Sequence, residues 1–217
     1  RIPECEWPEI PRAKVHSCKA ELFKLATKWD DVGTLRLFDA SSFRSDELCG
    51  VFPLYKDEDW DRLILNPTVI NSRCRSLSDH TKLLGQGFLL SRLHLGPSEL
   101  LLISADDLKE FYYVWIVPTA RARRNALGMK FRAEDFKNCK AYRPELAGKQ
   151  VVIALGALAM GDSLAVELAQ AVHIAVLKRA GAYTDNEAIV YRKPFPRGPY
   201  YELLAIDDHL GLQKVQP

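Results

Sequence analysis

Y-Y-E-L-L-A-I-D-D-H-L-G-L-Q-K-V, residues 200–215, sets two apolar runs, 203–206 and 210–215, on either side of the adjacent carboxylates Asp207 and Asp208. Short apolar runs with a brief polar break predict a β-hairpin carrying both aspartates at its tip. Neighbouring carboxylates repel, and burying them without a partner costs several kcal/mol. A divalent cation relieves that cost, and hard oxygen ligands suit Mg²⁺. Aspartates are also ordinary residues of a solvated turn, so the pair alone does not distinguish a site from a surface loop.

Working outward, a second acidic pair strengthens the first. The run 100–103 predicts a strand that leads directly into Asp106 and Asp107. Between the two pairs lies the most regular helical pattern of the chain, 162–180. It has Asp162 and Ser163 as cap candidates, an apolar stripe of Leu164, Leu168, Val172 and Val176, and Lys178, Arg179 and Gly181 at its end. Acidic groups on separate strands are what two-metal phosphoryl transfer needs, because cations about 3.5–4 Å apart must be bridged by shared carboxylates.

Composition narrows the classes. With 217 residues and 47% hydrophobic content, the chain can bury one large core or two modest ones. No apolar run reaches membrane-spanning length, so no membrane partner is expected. Cys5, Cys18, Cys49, Cys74 and Cys139 are odd in number and scattered without a C-x-x-C spacing. That argues against a disulfide framework or a zinc site and predicts a reducing, intracellular setting, cytoplasmic or nuclear. The net charge of +2 is unevenly spread, at −3 over residues 1–110 and +5 over 111–217. Basic groups gather at Arg121, Arg123 and Arg124, at Lys178 and Arg179, and at Arg192, Lys193 and Arg197, which suggests a polyanionic ligand.

In chain order, Pro3, Pro8 and Pro11 predict an extended arm, and the spacing at 19–29 predicts a helix. A strand is expected within 32–38 and a polar loop over 40–47. Segments 49–55 and 62–65 read as paired strands joined by a charged turn, closed by Asn66-Pro67. The run 151–158 reads as a buried strand. Elements mix without a β-α-β alternation, so the expected fold class is α+β. The expected divisions are an N-terminal arm and helical extension (1–48), a second segment (49–97) and a third carrying both acidic pairs (98–217).

Four segments, in order, resemble the fingers and palm of reverse transcriptases. R-L-I-L-N-P-T-V-I-N at 62–71 is similar to the fingers motif R-x-I-x-D-x-R-x-L-N, and D-L-K-E-F-Y at 107–112 to palm motif A. L-A-M-G-D-S-L-A-V-E-L-A-Q at 158–170 resembles motif B, and A-I-D-D at 205–208 resembles motif C. Asn66, Val166 and Ala205 stand where that family usually has Asp, Pro and an aromatic. The resemblance implies a polymerase palm, an antiparallel sheet with helices on one face, plus partial fingers (49–97), ending before the thumb. It implies RNA-directed DNA polymerase activity on an RNA or DNA template–primer and dNTP, with two Mg²⁺ ions, or Mn²⁺ in their place.

By the same resemblance, Asp107 and Asp207 ligate both metals and Asp208 assists. Asp106 competes for the first role, but only Asp107 is followed by Leu-Lys at the family's positions. Arg62 and Lys56 would hold the triphosphate, and Gly161 would let a nucleotide or template approach without a Cβ in the way. Gln170 would hydrogen-bond substrate or fingers groups. Tyr112 occupies the place of the family's steric gate against a ribose 2′-hydroxyl, which favours DNA synthesis over an RNA-synthesising palm. A catalytically inactive nucleic-acid binder using the basic clusters is the other reading.

Overall fold

The computed structural model describes residues 3–74 and 84–217. Part of the segment 82–95, whose sequence does not select a state, therefore lies outside the described residues. The chain divides into two compact units, each discontinuous in sequence: Arg1–Arg75 with Tyr112–Ala165, and Ser76–Phe111 with Val166–Pro217. This grouping cuts across the linear division 1–48, 49–97 and 98–217.

In the first unit, helix α1 (Lys19–Asp31) buries Leu22, Ala26 and Trp29, spaced along one face as a helix of 3.6 residues per turn requires. It ends at Gly33, whose φ of +76° a residue with a Cβ adopts only at a cost. Asp30, buried near the helix end, accepts the backbone N–H groups of Lys140 (2.7 Å) and Ala141 (2.9 Å). The helix is thereby tied to a segment more than a hundred residues away.

Strand β1 (Leu35–Asp39) begins later than the window 32–38 suggested. Sheet hydrogen bonds then link three strands in the order β1-β6-β5, with β5 spanning Ala126–Arg132 and β6 spanning Gln150–Leu155. Val151 through Leu155 are all buried, as a continuous apolar run in a central strand should be. The basic stretch 121–132 thus divides into short helical turns and an edge strand. Strands β2 (Gly50–Tyr55) and β3 (Asp61–Asn66) form the expected hairpin, in register from Gly50 opposite Asn66 to Tyr55 opposite Asp61. The Asn66 carboxamide oxygen then accepts the Thr68 N–H at 3.2 Å, opening the short helix α2 (Thr68–Ser72). Two further short helices follow, α3 (Phe111–Val114) and α4 (Thr119–Ala122).

In the second unit, β4 (Leu100–Asp107), β7 (Tyr200–Ala205) and β8 (Asp208–Val215) form an antiparallel sheet in the order β4-β8-β7. β4 runs four residues beyond Ile103, because pairing with β8 continues through both aspartates to Asp107 opposite Asp208. On one side, Leu203, Leu212 and Tyr201 pack with Leu89 and Ile189. Leu204, from the other side, packs with Tyr183, Val190 and the α5 residues Ile174 and Leu177.

Helix α5 (Ala165–Arg179) begins three residues after the expected Asp162. Asp162 still serves its entry, accepting the Leu164 N–H at 2.9 Å. Its inward face is not the predicted stripe. Leu168 and Val176 are exposed, while Ala165, Ala169, Gln170 and His173 are buried. Apolar spacing finds a helix but does not say which stripe packs; here two alanines keep the inward face low and two polar side chains find partners there. The class is α+β with antiparallel sheets, as expected from the sequence. Among the described residues no helix is long and apolar enough to cross a membrane.

Candidate active site

The β7–β8 hairpin closes in two residues, Ile206 and Asp207, between the paired Ala205 and Asp208. Only Asp207 lies in the turn; Asp208 is the first residue of β8, so the expectation of both aspartates at the tip is corrected. A two-residue hairpin loop needs a left-handed residue to follow the twist of its strands. Ile206 supplies it at φ +63°, a conformation rare for a β-branched residue and costing about 1–2 kcal/mol.

Side chains from α5 hold this turn. Gln170, 3% exposed, donates its Nε2–H to Leu204 O at 3.1 Å and accepts the Ile206 N–H on Oε1 at 2.6 Å. His173 lies 2.6 Å through Nδ1 from Ile206 O, and its ring packs against Phe111 at 5.1 Å between centroids. A carbonyl only accepts, so Nδ1 carries the proton in that bond. Gln170 is expected from the sequence to reach substrate or fingers groups; its amide here bonds the hairpin, whose turn leaves an N–H and a carbonyl to be satisfied. The sequence alone does not point to the contact of His173 with the turn. Two polar residues three apart on one helical face were the available signal.

Asp107 and Asp208 are register partners across the β4–β8 ladder, and directly opposite residues place their side chains on the same face. Alternation puts Asp106 on the other face, opposite His209. His209 in turn lies 3.4 Å from the Glu202 carboxylate. Burial pushes the Glu202 carboxyl above its ordinary range, with the His209 bond opposing that shift.

Asp107 and Asp208 are exposed and Asp207 is half-buried. None of the three carboxylates has a side-chain hydrogen-bond or ion-pair partner among the described residues, and all three offer the oxygen donors that Mg²⁺ takes. Among the described residues, no three His, Cys, Asp or Glu side chains are gathered closely enough to hold a metal ion as they stand. The donors are of the kind such a cation takes, an opposed pair with a third carboxylate in the adjoining turn, but they are not drawn together into a closed site.

The remaining predicted residues lie in the first unit. Lys56 is exposed at the β2–β3 turn, 4.0 Å from Asp57, and Arg62 is exposed on β3 opposite Leu54. Tyr112 is half-buried in α3. Gly161 has φ +102°, and a Cβ there would fall 2.1 Å from Leu65 O. The closeness of β3 is by itself a reason for glycine at this position. Asn71, the last residue of the fingers-like motif, fastens the same loop, donating Nδ2–H to Gly161 O (2.8 Å) and accepting the Ser163 N–H (3.2 Å). Beside it the Asp162 carboxylate, buried, accepts from Arg121 at 2.6 Å with Arg124 at 3.8 Å. Burial lowers the Arg121 pKa, against the pull of Asp162.

These observations define an α+β chain whose antiparallel sheet sets Asp107 opposite Asp208 beside the β7–β8 turn. No family model matches the sequence, and no curated protein does. Among solved structures the chain is similar to a foamy viral protease–reverse transcriptase solved in complex with double-stranded DNA. The TM-score is 0.54 at 13% identity, over 94% of this chain and 28% of that one. At that identity the likeness is one of fold.

Proposed function

We propose that this chain is the catalytic portion of a reverse-transcriptase-type nucleotidyltransferase that adds dNMP to a primer 3′-hydroxyl. The observation that carries the reading is the opposition of Asp107 and Asp208 across the β4–β8 ladder, with Asp207 in the adjoining turn. The fold likeness supports it, and the solved relative's complex with double-stranded DNA supports a nucleic-acid partner.

In this reading Asp107, Asp207 and Asp208 would hold two Mg²⁺ ions. Those ions, when bound, supply charge that acidifies the attacking hydroxyl and stabilises the departing pyrophosphate. The chain's own part is to fix the carboxylates. β4 pairing sets Asp107, while Gln170 and His173 hold the Ile206 backbone so that Asp207 and Asp208 leave the turn in one geometry. Triphosphate binding by Lys56 and Arg62, and sugar selection by Tyr112, rest on the motif resemblance.

The test is primer extension on an RNA template with Mg²⁺. Incorporation of dNTP in preference to rNTP is expected, with Asp107→Asn and Asp207→Asn losing it while keeping the fold. Full activity in either variant would remove that residue from the reaction. The spread of the acidic side chains favours one second reading, a nucleic-acid binder without turnover. Salt-sensitive template–primer binding with no Mg²⁺-dependent incorporation would select it.

A further inference from the structure

A surface of the second unit that takes no part in the acidic cluster has the composition of a nucleic-acid platform. The segments 84–95 and 188–200 hold Arg92, Arg192, Lys193 and Arg197 and not one Asp or Glu. All four basic residues are exposed. Asp185, which precedes the second segment, is bonded to Lys178 at 2.6 Å, and Lys193 adds to lowering its pKa.

An aromatic sits among these charges without being part of the core. The short 3₁₀ helix Gly87–Arg92 is anchored by Leu89, 4% exposed, while the adjacent Phe88 is 60% exposed. Phe88 meets Tyr191 in a T-shaped pair, with centroids 6.1 Å apart and planes at 77°, and most of its ring remains exposed. The Arg192 guanidinium lies 5.2 Å from the Tyr191 ring, and Arg192 takes a left-handed φ of +62°. The loop behind them is held by Phe195 against the buried Tyr201, at 5.5 Å. An exposed aromatic on an anchored element, with exposed cations in the same two segments, matches how single strands are bound. Bases stack on the ring while phosphates meet the charges.

We infer that Phe88, Tyr191 and the surrounding Arg92, Arg192, Lys193 and Arg197 form a binding surface for single-stranded nucleic acid. It stands near the Tyr200 end of β7, about 20 Å along the strand from the Ile206 turn. The inference shares with the proposed function only the expectation of a nucleic-acid partner, and uses none of the carboxylates.

The test is fluorescence anisotropy of the full chain with labelled oligo(dT) and oligo(rU), against a blunt duplex of matched length. Phe88→Ala is expected to weaken single-strand binding by about fivefold to a hundredfold, the range of one lost base stack. Phe88→Trp should retain it, and duplex binding should barely change. Phe88→Leu keeps an apolar contact with Tyr191 and replaces the alanine variant if that unfolds. Arg192→Ala with Lys193→Ala should flatten the slope of log affinity against log salt by about 1.4, the value for two phosphate contacts on a single strand. Wild-type single-strand affinity in Phe88→Ala or Phe88→Leu, or an equal loss on duplex, overturns the inference. An unchanged salt slope does so as well. Asp207→Asn is run alongside: retained binding with lost incorporation leaves the surface standing whatever becomes of catalysis. Altered incorporation with unaltered binding in the Phe88 variants sinks the surface alone.

Discussion

Replacing Gln170 by Met removes both hydrogen bonds to the hairpin while nearly preserving side-chain volume. Leu204 O keeps a second donor, the Gly85 N–H at 2.8 Å, so losing the Gln170 bond there costs only about 1 kcal/mol. The Ile206 N–H is left worse off. The hydrogen bond recorded for it is the one to Gln170 Oε1, and a stranded donor costs about 1–3 kcal/mol. The sum, about 2–4 kcal/mol, corresponds to a fall in Tm of about 4–16 °C for a chain of this size. Circular dichroism melting of wild type and Gln170→Met reads it directly. Because Ile206 is strained, the released turn should relax, and Mn²⁺ affinity should fall along with stability. A Tm within a degree of wild type, with unchanged Mn²⁺ binding, would refute the view that α5 holds the acidic turn.

Further expectations are tied to single contacts. Gly161→Ala puts a Cβ into Leu65 O at a φ of +102°, and should cost about 2 kcal/mol or more in urea unfolding; a neutral result would show that the loop can move away. Asp162→Asn keeps the acceptor for the Leu164 N–H but strands Arg121 and Arg124, which are mostly buried, and should cost about 3 kcal/mol by the same measurement. Glu202 has a raised folded-state pKa, so its contribution is fully present below about pH 4.3 and is lost as pH rises through the folded value. Glu202→Gln should therefore melt above wild type near neutral pH and converge with it near about pH 4. A variant that melts below wild type at every pH contradicts that sign.

Much of the framework is legible in the sequence because it rests on local alternation and turn chemistry. The β2–β3 and β7–β8 hairpins follow from short apolar runs around charged breaks, and helix α1 from its one-sided apolar spacing. What the sequence does not show depends on partners far along the chain. β4 continues through Asp106 and Asp107 because β8 supplies its hydrogen bonds, and no local property of two aspartates predicts a strand. The inward face of α5 was misread for a related reason. Its buried Gln170 and His173 are explained only by the left-handed Ile206 they serve, a conformation that the letters A-I-D-D do not advertise. The choice of Asp107 over Asp106 came from a motif, and the alternation of β4 gives it a physical basis, since only Asp107 shares a face with Asp208. At Gly161 the fold adds a reason that the sequence does not carry, since the carbonyl of Leu65 lies where a Cβ would be.

Counting Mn²⁺ ions bound in the presence of template–primer and dNTP, by electron paramagnetic resonance, tests the account most directly. Two coupled ions are expected in the wild-type chain, with both lost or uncoupled in Asp107→Asn and binding retained in Asp106→Asn. Wild-type Mn²⁺ binding in Asp107→Asn, or no bound pair in the wild-type chain, would contradict the proposal that these strand ends form one metal-dependent centre.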